Sequence, residues 1–418
     1  MNSSFSFFQK TSSDKKSLLT LIFLFSLSIS LVFLVFFGKI GPAQHRAPGT
    51  DYLNCYLPIA KNIFYGEFIH FKENLTICAS PGYPIILVGI LSLSRLSGIS
   101  ELDLIILFNL IVSALSACLL FLIAESIFNK EIALLASFLW LSYPFNVWFV
   151  KNPNTEVPFI LLLYLGIWLY ILALKNKKIV TVFFSGFVLS FSILVRPIGI
   201  LLIPLFALAI FFLLKRETVK RKFIFATIFF CGAVVVLFPW EFYLFLKTNH
   251  FILLSSSGAP SIVDGLTFAL VPGEGGDQLL LSDDIMALMR RAAEGSLTNL
   301  SKVFYFLLNE LKNNPSSLIK LIGWKVIRSW YGTSQMWWER EILAFQLFYL
   351  LTAFLGIVYA LWRFRTRLSW IIFLLIIVAD FWLMTISALS ILRYMVPVMG
   401  LLIIFSAVLG NFLLDIKQ

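Results

Sequence analysis

The sequence predicts an all-α protein that crosses a membrane about ten times, and three observations predict it. Hydrophobic residues make up 60% of the 418-residue chain and charged residues only 13%, whereas an ordinary soluble domain carries about 25% charge. Apolar runs of membrane-spanning length recur from one end to the other. Basic residues gather in alternate connections, which is the pattern of a multi-pass membrane protein. No soluble fold could hide this much Leu, Ile and Phe, so lipid must cover much of the surface. One bundle absorbs most of the chain, and residues 1–418 read as a single membrane domain.

A helix needs about 20 apolar residues to cross the hydrocarbon. Runs of that kind lie at 17–37, 103–124, 132–150, 157–174, 179–214, 223–240, 342–361, 368–388 and 394–414. The fifth would extend about 54 Å as one helix, against a hydrocarbon core of about 30 Å. Arg196-Pro197 interrupts it. Arginine resists burial there and proline breaks the hydrogen-bond ladder, so this run reads as two short spans meeting at Arg196. The first run has the basic flank of a signal sequence, but 38–42 is a poor cleavage site, so an uncleaved first span is expected.

Lys10, Lys15 and Lys16, then Lys175, Lys177 and Lys178, the cluster 215–222, and Arg363, Arg365 and Arg367 all fall on one side of these spans. That side is expected to be cytoplasmic, with both termini on it. The formal net charge of +11 is thereby a topology signal, and no nucleic-acid surface is needed to explain it. On the opposite side two segments are too long to be simple connectors, 38–102 and 241–341.

The first of these outer loops contains a short helix over 50–66, with Tyr52, Tyr56, Ile59, Ile63 and Phe64 at helical spacing and Gly66 as its stop. Asp51 stands at its start, where a carboxylate caps exposed amides, and Pro58 implies an entry turn or kink. Ser80-Pro81-Gly82-Tyr83-Pro84 then opens an apolar run over 85–96, too short to cross and read as an interfacial or half-inserted helix. In the second loop, 317–330 is amphipathic and is expected to rest on the membrane with Tyr331, Trp337 and Trp338 in an interfacial aromatic belt.

An acidic residue after the first span, a Tyr-x-x-x-Ala-x-x-hydrophobic-x-x-Gly stretch and a Pro-Gly-Tyr-Pro that opens an apolar helix together resemble the GT-C class of membrane glycosyltransferases. The likeness is to the protein O-mannosyltransferases and the bacterial aminoarabinose transferases. It continues in order through Ser142-Tyr143-Pro144 to Asn154-Thr155-Glu156, Leu194-Val195-Arg196-Pro197, Pro239-Trp240 at the opening of the large loop, and Leu392-Arg393-Tyr394 with Pro397. The chain departs from the family pattern at Asp51-Tyr52, where members often have Asp-Glu, and at Ala79-Ser80, where many place an arginine.

The resemblance implies transfer of a sugar from a polyprenyl-phosphate carrier to a protein, lipid or glycan hydroxyl, on the non-cytoplasmic face of a cell membrane and with inversion. It implies Asp51 as the base and Glu156 as a second acid that orients the acceptor or binds a divalent metal. Such chemistry needs a proton acceptor, positive charge for the leaving phosphate and an apolar groove for the lipid. Arg196 and Arg393, with Lys325 and Arg328 as weaker candidates, are the cations for the phosphate, although snorkelling to lipid headgroups would also explain the two span-end arginines. Tyr52, Tyr83 and Tyr394 are the candidates to line the substrate.

Asp380, inside a span, is costly there and reads as a protonated or Trp/Ser-bonded group in a helix contact. Cys55 and Cys78 share the first outer loop and could form a bridge, while Cys118 and Cys231 fall within spans. The three histidines are scattered and the four cysteines lack metal spacing. The 273–276 glycine tract lacks the strand and lysine of a nucleotide cradle. Two other readings stay open: a transporter or flippase for a lipid-linked saccharide, and a polysaccharide polymerase or ligase. Span interiors bare of charge apart from Asp380 favour the interfacial enzyme.

Overall fold

A computed structural model describes residues 15–37, 49, 51–67, 77–270, 279 and 281–416. The tracts 38–42 and 273–276, together with Lys10, His45 and His70, lie outside the described residues. These form 17 α-helices and no strand. Seven helices are long and apolar enough to span a membrane: α1 (Lys15–Phe37), α4 (Glu101–Ile127), α7 (Glu156–Asn176), α10 (Val219–Thr248), α15 (Glu339–Arg363), α16 (Leu368–Ser387) and α17 (Leu392–Asp415). The bent pair α5 (Lys130–Leu141) and α6 (Pro144–Trp148) adds an eighth. The shorter α8 (Ile179–Val195) and α9 (Leu202–Leu213) complete the apolar set of the bundle.

Several helices begin before their apolar runs because acidic residues occupy the first turn, as with Glu101 and Asp103 in α4 and with Glu339 and Glu341 in α15. Carboxylates there oppose the positive end of the helix dipole. The centre of the bundle is α4, α7 and α17, whose apolar stretches are mostly buried. Around it α8 packs on α7 and α10, and α15 packs on α17. Gly186 of α8 and Gly232 of α10 each lie against a carbonyl of the other helix, Phe229 and Phe183, where a Cβ would collide. Small residues at such crossings let backbones approach, and packing of this kind drives association in lipid.

The break expected at Arg196 is present. α8 ends at Val195, Arg196 is extended (φ −142°, ψ 113°), and Pro197–Gly199 forms a 3₁₀ turn before α9. Two expectations need correction. The run 132–150 is bent by 54° between α5 and α6, because Pro144 drives the preceding Tyr143 out of the helical region (φ −80°, ψ 106°). The run 223–240 does not end at Pro239-Trp240. α10 continues through Pro239 to Thr248 and stops at Asn249, in left-handed conformation (φ 54°), so the large loop starts eight residues later than 241. The chain then folds back on this helix end: the Trp240 indole donates to the Leu254 carbonyl (2.8 Å), and the Leu254 amide donates to the Glu241 carboxylate (2.8 Å).

The described residues of the two long connections are largely helical. In the first, a π-turn over Tyr52–Tyr56 runs directly into α2 (Leu57–Tyr65), and Gly66 (φ 73°) ends it as expected. The π-turn bonds Leu57 N–H to the Tyr52 carbonyl, which shifts the ladder where Pro58 has no N–H to give; Pro58 therefore produces a local bulge within a continuous helix. α3 (Gly82–Ser97) follows. The large loop holds α11 (Gly258–Thr267), α12 (Asp283–Glu294), α13 (Leu300–Asn313) and α14 (Pro315–Arg328). One face of α14, with Leu318, Leu321, Lys325 and Arg328, is buried against protein, with α12 and α16 as partners, while Ile319, Ile322 and Ile327 stay exposed.

Candidate active site

Glu156 opens α7 and is fully buried. Asn154 holds the turn before it, its Oδ1 accepting from the amides of Glu156 (3.1 Å) and Val157 (3.3 Å). An Asn side chain in that position supplies the acceptor that the first-turn amides lack. The Glu156 Oε1 receives Arg196 Nη1 at 2.5 Å and also Arg393 Nε. Two cations and one carboxylate leave this trio with one net positive charge, and charge-assisted bonds fix its geometry. The other carboxylate oxygen, Oε2, is buried with no hydrogen-bond partner among the described residues.

The two arginines differ in what remains open. The Arg196 side chain is only 8% exposed, and its guanidinium lies 5.0 Å from the centre of the Tyr394 ring, a cation–π contact. The Arg393 side chain is 38% exposed. It spends Nε on Glu156, which leaves its terminal nitrogens as an open fork.

The first outer loop approaches the same cluster. Burial raises the Tyr56 hydroxyl above its ordinary range; Arg393 and Arg196 pull it back down, while Asp51 and Glu156 push it up. Tyr56 therefore lies within electrostatic reach of all four charged candidates. Its ring meets Tyr83 edge-on at 5.2 Å. Tyr52 and Tyr83 are buried, and neither hydroxyl has a hydrogen-bond partner among the described residues. Asp51 is exposed, and its side chain makes no capping bond, so the cap that its position suggests is not formed.

The Pro-Gly-Tyr-Pro corner explains how the loop is held. Gly82 lies on the backbone of Leu194 and Val195, where a Cβ would collide, and the Ser80 hydroxyl donates to the Leu194 carbonyl at 2.7 Å. Those residues immediately precede Arg196. A disulfide joins Cys55 to Cys78, so the helix of Asp51 and Tyr56 is tied to the segment that rests on α8. Ile77 on this segment exchanges main-chain and side-chain bonds with Ser256 of the large loop.

One expected residue lies elsewhere, and among the described residues the intramembrane Asp380 lacks the expected bond to Trp. Lys325 is buried on α14, against Gly265 and beside Arg328, and the structure does not bring it to the Glu156 cluster. Burial, with Arg328 nearby, lowers its ammonium from 10.5 to about 7. Asp380 is buried in α16, its Oδ2 without a partner among the described residues; the neighbouring Trp382 indole donates to Val326 and Ser329 and not to Asp380. Among the described residues no group of three or more His, Cys, Asp or Glu side chains is placed to hold a metal ion.

Sequence reading did not single out Tyr56, Asn154 or Ser80 as site residues. Only Asn154 carried a usable signal, an Asn two residues before the first helical acid.

The description "dolichyl-phosphate-mannose-protein mannosyltransferase" belongs to the family that matches residues 81–240. No curated protein sequence matches the chain. Among solved structures, the archaeal oligosaccharyltransferase AglB from Archaeoglobus fulgidus, in complex with an inhibitory peptide and a dolichol-phosphate, superposes with a TM-score of 0.61 at 15% identity, over 97% of this chain and 51% of that one. The Archaeoglobus fulgidus oligosaccharyltransferase tethered to an acceptor peptide containing the NVT sequon gives 0.62 at 14% identity, over 96% and 50%. ArnT from Cupriavidus metallidurans bound to undecaprenyl phosphate gives 0.43 at 13%, over 95% and 78%. The chain thus spans about half the length of the oligosaccharyltransferases whose fold it shares. Residues 81–240 are thus the segment similar to the dolichyl-phosphate-mannose-protein mannosyltransferases, and the chain as a whole shares the fold of the membrane-embedded half of these oligosaccharyltransferases.

Proposed function

We propose that this protein transfers a sugar from a polyprenyl-phosphate carrier to an acceptor hydroxyl on the non-cytoplasmic face of the membrane, with inversion at the anomeric carbon. One observation carries the reading: the ends of separate elements join Glu156 to Arg196 and Arg393, and Tyr56 of the first loop lies within electrostatic reach of those three and of Asp51. The basic residues of the opposite connections support the choice of face.

In this reading Asp51, exposed and free of a capping bond, accepts the proton of the acceptor hydroxyl. The acceptor oxygen attacks the anomeric carbon from the side opposite the phosphate. The bond from carbon to phosphate oxygen breaks, and the lipid phosphate leaves with the electron pair. The open fork of Arg393 receives that charge, where fixed donors act most strongly because they need no reorganisation. Arg196 reinforces it from behind, held over Tyr394. Glu156 acts as the fixed counter-charge that aims both arginines. Tyr52 and Tyr83 form the buried wall behind Tyr56. A lipid phosphate, of the kind present in the dolichol-phosphate complex of AglB, suits this arrangement.

The test is transfer from radiolabelled undecaprenyl-phosphate sugars in membranes carrying the wild type or Asp51→Asn. Removal of a general base is expected to lower transfer about 10²–10⁴-fold, with the protein still inserted. Equal transfer by the two forms would remove Asp51 from the chemistry.

A further inference from the structure

Arg328 takes no part in the chemistry above, yet it is almost completely buried at the end of α14. Its Nη1 donates to the Ser390 carbonyl at 3.1 Å. Its Nη2 donates to the Thr333 carbonyl at 2.6 Å and to Glu339 Oε1 at 2.7 Å. The Phe268 ring lies 4.3 Å from the guanidinium carbon. Glu339 completes the loop by accepting from the Thr333 amide at 2.8 Å. The main chain closes the same clasp, with the Leu392 amide donating to the Gly332 carbonyl at 2.8 Å. Gly332 has no room for a side chain, since a Cβ would sit 2.7 Å from the Arg328 stem and 2.8 Å from the Ser390 oxygen.

One guanidinium therefore ties together the end of α11, the turn at Thr333, the first residue of α15 and the connector between α16 and α17. The residues that follow this connector are Leu392, Arg393 and Tyr394. Arg393 is the residue that joins Glu156, and Tyr394 is the ring against Arg196. A buried ion pair is poor evidence of stability, because well-packed apolar groups of the same volume often do as well. What it supplies here is direction, since a planar fork satisfies acceptors on several strands of chain at fixed angles.

We propose that Arg328 is a positioning residue, which sets the register of the stretch from Ser390 to Tyr394 and so aims the open edge of Arg393 at the phosphate of the lipid-linked donor. This rests on the proposed function. It links the docking of the large outer loop to the phosphate site without any direct contact between Arg328 and substrate. Perturbing the clasp should weaken phosphate binding through Arg393, and the two residues should behave as one unit.

The experiment measures binding of undecaprenyl phosphate to the full chain in nanodiscs, with thermal unfolding recorded alongside. The proteins are the wild type, Arg328→Lys, Arg393→Lys, the double variant, Gly332→Ala and Lys320→Ala. Lysine keeps the charge beside Glu339 but loses the fork. Gly332→Ala crowds the Ser390 carbonyl without altering a charge and carries the test should Arg328→Lys fail to fold. Lys320→Ala breaks an exposed pair with Asp284 in the same loop and serves as the control.

About tenfold weaker binding is expected for Arg328→Lys and for Gly332→Ala, with binding by Lys320→Ala unchanged. The double variant should bind no more weakly than Arg393→Lys, the non-additivity of coupled groups. Wild-type affinity in folded Arg328→Lys and Gly332→Ala, or losses that multiply in the double variant, would overturn the positioning role while leaving the proposed function standing. No binding of undecaprenyl phosphate by the wild type would overturn both.

Discussion

A lysine buried without a counter-charge makes stability depend on pH, and Lys325 has no such partner among the described residues. Its ammonium falls from 10.5 to about 7 because burial disfavours the charged form and Arg328 adds repulsion. Between those values the unfolded chain holds a proton that the folded chain has released, so stability rises with pH across the window. The penalty is fully imposed below about pH 7 and is gone above the unfolded value. Lys325→Met should therefore raise the unfolding temperature at pH 6.5, leave it nearly unchanged at pH 10, and flatten the slope between. A parallel pH profile for the two proteins would show that the amine reaches solvent. Glu156 presents the opposite case, a buried carboxylate whose removal strands two cations. Glu156→Gln should cost about 3–5 kcal/mol and also release Arg393, so transfer and thermal stability should fall together. Normal stability with abolished transfer would point to a direct chemical role for the carboxylate. Glu156, Arg196 and Arg393 could be singled out because each stands beside a proline or at a span end within a motif, and Asp51 because it opens a loop helix. Their convergence was not legible, because it depends on how α7, α8 and α17 pack. The placement of Lys325 depends in the same way on which face of α14 turns toward protein, which amphipathicity alone does not decide.

At the scale of elements, proline and glycine marked the boundaries that could be read in advance, and the misses occurred where tertiary contacts overrode them. Arg196-Pro197 broke its run as expected, and Gly66 ended α2. Pro239 failed to end α10 because a following turn, held by the Trp240 and Glu241 bonds to Leu254, stabilises the helix end beyond it. The Pro-Gly-Tyr-Pro corner lets one substitution test how an element positions the site. Gly82→Val would press a branched side chain into the backbone of Leu194 and Val195, an overpacking of about 1–3 kcal/mol. It should separate α3 from α8 and reduce transfer, whereas Gly89→Ala on the same helix, where nothing lies within 4 Å, should be silent. Equal activity in the two variants would show that this contact does not govern the site. The Cys55–Cys78 bridge acts on the neighbouring element. It closes a separation of 23 residues, for which the loop-entropy relation gives about 3 kcal/mol. Replacing both cysteines by serine should lower the unfolding temperature and loosen the Asp51 helix from the segment that rests on α8, lowering transfer further than the stability loss explains.

For the whole molecule, the charge pattern and the disulfide make independent statements about which side is outside. In the proposed topology the basic clusters lie on the cytoplasmic side with both termini, and the first loop, the large loop and the Glu156 cluster lie opposite. Burial fits a bundle seated in lipid: α4, α7 and α17 form its interior, while α1 and α15 keep most of their apolar surface outward. That gradient was only partly legible, since the runs are almost uniformly apolar and their periodicity does not say which face meets lipid. A stable disulfide in turn requires an oxidising compartment. The two arguments agree only if the Cys55–Cys78 bridge faces away from the cytoplasm, and cysteine chemistry on intact cells tests that agreement. A membrane-impermeant maleimide should leave the chain unlabelled without reductant. After brief treatment with an impermeant reductant it should label two thiols, and Cys55→Ser/Cys78→Ser should remove both. Cys118 and Cys231 lie within α4 and α10, out of reach of a charged reagent. Labelling only after permeabilisation would invert the orientation and move the candidate site to the cytoplasmic face. Labelling in intact cells without reductant would keep the orientation and remove the bridge, leaving the Asp51 helix held by packing alone.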